Sequence, residues 1–129
     1  MAQFKIYGRI DHLRSVHQKL GELIHDAAVR TLQLPTDKRF QRFIALEDWQ
    51  LVAPADRSER YTLIEVVMFS GRSVMARKAL LRALMDDISA GLEIAMTDIE
   101  ITIIESPREN WGIRGQTGDE LALGYKVEV

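Results

Sequence analysis

The sequence predicts an α+β domain: two consecutive β-α-β units sharing one mixed sheet, with both helices on one face. Three observations carry this expectation. Short apolar stretches with strand character occur four times. Long runs with apolar residues three and four apart occur twice. The two kinds follow one another as strand, helix, strand, loop, strand, helix, strand.

Gln3–Tyr7 alternates, with Phe4 and Ile6 two apart, and predicts a short strand. From Asp11 to about Leu34 the apolar positions Leu13, Val16, Leu20, Leu23, Ile24, Ala27, Ala28 and Leu32 fall on one helical face. Asp11 is the expected N-cap, and Pro35 stops the helix because it pushes Leu34 out of helical geometry. Phe40–Leu46 reads as a second strand. Asp48–Arg60, with Pro54, Asp56 and Ser58, reads as a loop. Tyr61–Ser70 is rich in Ile64, Val66, Val67, Met68 and Phe69, which predicts a buried strand. Gly71-Arg72-Ser73 is a turn with Ser73 as a cap, and Val74–Leu92 is the second helix. Asp98–Glu105 alternates Ile99, Ile101 and Ile103 against Glu100 and Thr102 and is a strand. The tail is expected to end in a short strand at Tyr125–Val129.

A chain of 129 residues is one domain, 1–129. Gly8-Arg9 precedes the first helix and Gly71-Arg72 the second, so we read pseudo-repeat halves over 1–52 and 60–115 and a C-terminal tail over 116–129. One sheet with both helices on one face leaves its other face to be covered, which predicts an oligomer. The 47% hydrophobic content suits a packed core. Seventeen Lys and Arg against 19 Asp and Glu leave no basic excess for a nucleic-acid backbone. The absence of cysteine removes disulfides and thiolate chemistry and fits a cytoplasmic protein. No apolar run approaches the roughly 20 residues that cross a bilayer, so no membrane partner is expected. His12, His17 and His25 sit five and eight apart, which does not set two rings on one helical face, and no metal site is expected.

The second half carries a recognisable pattern: a strand into Ser70-Gly71-Arg72-Ser73, a helix with Arg77-Lys78, a strand ending at Glu105, then SPRENWGIRG. This resembles the tautomerase superfamily, in its long members built from two fused β-α-β units, within the malonate semialdehyde decarboxylase-like group. The resemblance implies a tautomerase-like fold, a homotrimer and no cofactor. It implies a small carboxylate ligand, held by arginine and worked on by an amino-terminal proline whose pKa is lowered by an apolar, cationic pocket.

Carried onto this chain, the proline's position is Ala2, whose terminal amine would serve once Met1 is removed; no proline occurs before Pro35. The family's catalytic aspartate falls on Lys38, with Asp37 beside it. Arg72 matches one arginine of the pair around the turn, and the other position is Ser70. Trp111 matches an aromatic of the pocket wall, Ile113 stands where a second aromatic is expected, and Arg114 adds a cation nearby. Arg72 also reads as a structural ion pair, and Trp111 as interface or core packing. The resemblance therefore implies a cofactor-independent tautomerase or related lyase acting on a small 2-oxo or enol carboxylate. The alternative is a catalytically silent trimeric relative that binds a small anion or a protein partner. A regulatory α+β module outside the family is the third reading.

Overall fold

Strand alternation shapes both units. The computed structural model describes residues 1–129. Strand β1 (Ala2–Arg9) buries every second residue, Ala2, Phe4 and Ile6, and β3 (Thr62–Phe69) does the same with Thr62, Ile64, Val66 and Met68. Helix α1 (Ile10–Leu32) and strand β2 (Gln41–Leu46) complete the first unit; α2 (Val74–Leu92) and β4 (Ile99–Ser106) complete the second. The sheet runs β2-β1-β3-β4. Its outer pairs are parallel, as crossover helices require, and its central pair is antiparallel. The mixed α+β architecture expected from the sequence is the one observed.

The core lies between the sheet and the two helices. Leu20, Ile24 and Leu32 of α1 and Leu80, Leu84 and Ile88 of α2 are fully buried against Ile6, Ile64 and Val66. Each such side chain contributes about 1.5–3 kcal/mol of burial free energy. Arg30 and Asp87 join the helices across their exposed edge (2.7 Å), a contact worth far less. The other sheet face carries no helix. There Tyr7 donates to Glu65 (2.5 Å) and Arg42 to Gln3 (2.6 Å), among Leu63, Val67 and the 42% exposed Ile104. No helix is long and apolar enough to cross a membrane.

Two local expectations are corrected. Strand β1 runs straight into α1, so Arg9 rather than Asp11 takes the cap position, without a side-chain cap bond. Asp11 sits in the first turn, where its charge still complements the helix dipole. The strand expected over Tyr125–Val129 does not form. That segment enters no ladder and is held by single contacts. The Ser73 amide donates to the Val129 carbonyl (2.9 Å), and Val127 is buried beside Gly71. Gly71 is required there: its φ is 134°, and an added Cβ would stand 3.1 Å from the Val127 side chain. Ser73 caps α2 as expected, accepting from the Ala76 amide (3.1 Å).

Candidate functional site

The start of β1, the turn before β2 and the C-terminal tail meet around one cavity of about 180 Å³. For scale, a cavity of about 150 Å³ in a protein core holds a benzene-sized molecule. Met1 and Ala2, then Leu34, Lys38 and Phe40, then Arg114 and the strap Leu121–Tyr125 line it. The lining is mostly apolar and includes two cations, Lys38 and Arg114.

Ala2 is buried at the first position of β1, and Met1 is tied in because its carbonyl accepts from the Phe69 amide (3.1 Å). Burial pushes the Met1 amine down to about 4, helped by the positive charges of Arg72 and Arg108. At neutral pH it is an unprotonated primary amine with a free lone pair.

Arg72 follows β3 and lies close enough to this amine for its charge to act on it. It is only 4% exposed. Its Nη1 donates to the Phe69 carbonyl (3.2 Å), while Nε and Nη2 have no partner. A buried guanidinium with two free donors is costly unless an anion meets it. Burial lowers its pKa, opposed by the nearby Tyr125, Glu105 and Glu128. The Tyr125 phenol lies beside the guanidinium, and its attraction is the largest of those that oppose the fall. Burial raises the Tyr125 pKa, and the charges of Arg72 and Arg108 pull against that rise.

Arg108 fastens the strap. Its Nε donates to the Gly118 carbonyl (3.0 Å) and its Nη2 to that of Leu121 (2.9 Å), with the guanidinium over the Phe69 ring (5.6 Å). Trp111 meets the same Phe69 ring edge-on (5.0 Å, 81°) and donates from Nε1 to the Ser106 carbonyl (3.3 Å). It braces the base of the strap rather than lining the cavity. Ile113 lies in a two-stranded hairpin, β5 (Gly112–Ile113) against β6 (Gln116–Thr117), outside the lining. The hairpin turn places Arg114 (φ 51°) and Gly115 (φ 80°) in the left-handed region, the pairing that a tight two-residue β-turn demands. That turn carries Arg114 to the lining.

Of the residues singled out by sequence, Ala2 and Arg114 line the cavity, and Arg72 lies behind it. Asp37 is exposed in the turn before β2 and does not line it; its neighbour Lys38 does. Sequence reasoning did not single out Phe40, Arg108 or Tyr125. The tail has no periodicity to read, and only its aromatic residue and buried apolar pair, Leu121 and Val127, could have signalled packing.

The family model described as "Tautomerase enzyme" (Tautomerase_2) matches residues 38–114. The chain belongs to the tautomerase family. The match spans Lys38, Arg72, Trp111 and Arg114, and leaves out both the start of β1 and the strap. Among solved structures, the chain is similar to the FG41 malonate semialdehyde decarboxylase inhibited by 3-bromopropiolate: TM-score 0.80, 25% identity, covering 94% of this chain and 98% of that one. It is also similar to a native fused 4-OT, with TM-score 0.81, 19% identity and coverage of 92% and 98%. N1, a member of the cis-3-chloroacrylic acid dehalogenase family, gives TM-score 0.77, 18% identity and coverage of 89% and 82%. The last two likenesses speak to the tautomerase fold alone.

Proposed function

We propose that this tautomerase-family chain acts without a cofactor on a small 2-oxo or enol carboxylate, as a tautomerase or a lyase of related chemistry, in the cytoplasm. One observation carries the reading. The residue bearing the terminal amine lines a small, mostly apolar cavity, and a buried guanidinium with two unpartnered donors lies behind that lining, close enough for its charge to hold the amine's pKa down. The guanidinium suits a carboxylate in a planar fork, Arg114 adds charge in the lining, and the amine can take a proton from the carbon beside a carbonyl or attack the carbonyl itself. The similar decarboxylase is inhibited by 3-bromopropiolate, itself a short carboxylate. The amine is that of Met1 in the chain as it stands, or of Ala2 once methionine is removed.

A base with a pKa of about 4 is poorly matched to proton transfer at pH 7, so ketonisation of phenylenolpyruvate is expected to be slow. Its rate should be level across neutral pH and should fall as pH drops toward about 4, because protonation of the amine removes the lone pair. Acetylating the terminal amine should abolish it. A rate indifferent to acetylation, or one without that acid limb, would remove the amine from the mechanism. Mass spectrometry of the cellular protein identifies which residue bears the amine.

The second reading, a silent relative that binds an anion, is favoured by Ala2 in the proline's place and Lys38 in the aspartate's. It predicts saturable phenylpyruvate binding with no turnover.

We also propose a homotrimer. The helix-free sheet face, with Leu63, Val67 and Ile104, is the surface to be covered, and fused 4-OT structures similar to this chain are trimers. Light scattering at micromolar concentration should give three times the chain mass, and a monomer would sink the idea.

A further inference from the structure

We propose that Tyr125 is the acid of this site: its phenol gives a proton to the substrate's carbonyl oxygen as the amine takes one from the neighbouring carbon. The inference rests on the reading above and fills the role that Lys38 leaves open.

Three observations meet at this residue. Tyr125 lines the cavity that Met1 and Ala2 also line, so the residues bearing the phenol and the amine border one bound molecule. Its position on the strap is held from both sides, by Arg108 on the Gly118 and Leu121 carbonyls and by Val127 buried beside Gly71. Behind it lies Arg72, with Nε and Nη2 unpartnered. Burial keeps the phenol protonated, and the guanidinium behind it stabilises the phenolate left when the proton goes. No other residue of the lining offers a neutral O–H: Lys38 and Arg114 are cations, and the remainder are apolar or glycine.

The step balances. The amine lone pair takes the proton from C3, the C–H pair becomes the C2=C3 bond, and the carbonyl π pair moves to oxygen, which takes the Tyr125 proton. An ammonium and a phenolate remain, and a proton passing through water from one to the other restores both. Ketonisation is the reverse.

The test compares the full chain with Tyr125→Phe, reading phenylenolpyruvate ketonisation and calorimetric binding of phenylpyruvate. Phenylalanine keeps the ring in the strap, and an unchanged melting temperature verifies that. The expected result is a kcat lowered on the order of 10²-fold, with KM and phenylpyruvate affinity little changed. A Tyr125→Phe variant as fast as the parent overturns the proposal, as does a loss confined to KM. A parent that binds phenylpyruvate but does not turn over also overturns it, while leaving the anion site standing. A parent that neither binds nor reacts overturns the reading of the site as a whole, and Tyr125 with it.

Discussion

Ala2→Pro, in a chain whose initiator methionine has been removed, is expected to raise ketonisation of phenylenolpyruvate by a factor on the order of 10–10². The reason is basicity in place. Position 2 already begins β1 and lines the cavity, and its small side chain is 4% exposed. A proline nitrogen there is a secondary amine held in a ring, so its lone pair has fewer directions to take. Its intrinsic basicity also offsets the burial and the cationic neighbours that lower the present amine. The measurement needs intact-mass proof that the variant starts with proline, and light scattering to show that its assembly matches the parent. A folded, proline-first variant no faster than the parent would mean that the surrounding site, above all Lys38 in place of an acid, no longer supports proton transfer.

Arg72→Met should separate binding from stability in opposite directions. Each charge-assisted hydrogen bond to a carboxylate is worth about 1.5–3 kcal/mol. Arg72 stands behind the lining, so the loss of one such attraction is the expectation, and phenylpyruvate binding should weaken by about 10-fold or more. The same change removes a guanidinium that is 4% exposed and has two donors without partners, and puts an unbranched apolar chain in its place. The bond to the Phe69 carbonyl and the attraction of Tyr125, Glu105 and Glu128 are lost in exchange, and they are smaller than the burial they oppose. The ligand-free protein should therefore gain about 1 kcal/mol, a rise of a few degrees in melting temperature. Calorimetric titration and thermal melts check both halves. A variant that loses stability along with affinity would show Arg72 to be a structural strut.

The two helices were legible because their apolar spacing repeats over many turns: Leu20, Ile24 and Leu32, then Leu80, Leu84 and Ile88, are the residues that the sheet buries. Strand boundaries moved by a residue or two, as when β2 began at Gln41 rather than Phe40, because ladder pairing and not side-chain pattern ends a strand. The cap of α1 was misplaced for a related reason. Aspartate is the better cap by preference, but β1 leaves no linker in which to place it. At the site, Arg72 could be named from its turn, yet its burial could not. That burial depends on a strap some fifty residues further on, whose contacts are Arg108 to two carbonyls and Ser73 to Val129. Such contacts leave no periodic trace. Which of Asp37 and Lys38 borders the cavity likewise depends on the turn's geometry rather than on residue type, and it is Lys38 that lines it.

The antiparallel central pair has a further consequence. Ala2 stands opposite Met68 and Tyr7 opposite Leu63, so the two units point their leading ends away from each other. Only the first unit can offer a free amine at its leading end. In the second that position is an ordinary peptide nitrogen in mid-chain, which can be neither base nor nucleophile. The far end of the molecule is laced together by polar contacts and works as a buckle. Arg60 clasps the last carbonyls of α2 (2.8 Å to both Leu92 and Glu93), Asp98 receives the Ser58 amide (2.7 Å), and His12 meets the Thr62 hydroxyl (2.9 Å). Joining two units in one chain divides the labour between its poles. One pole keeps a buried guanidinium with two unpartnered donors. At the other, polar groups satisfy one another and give the first pole a rigid mount.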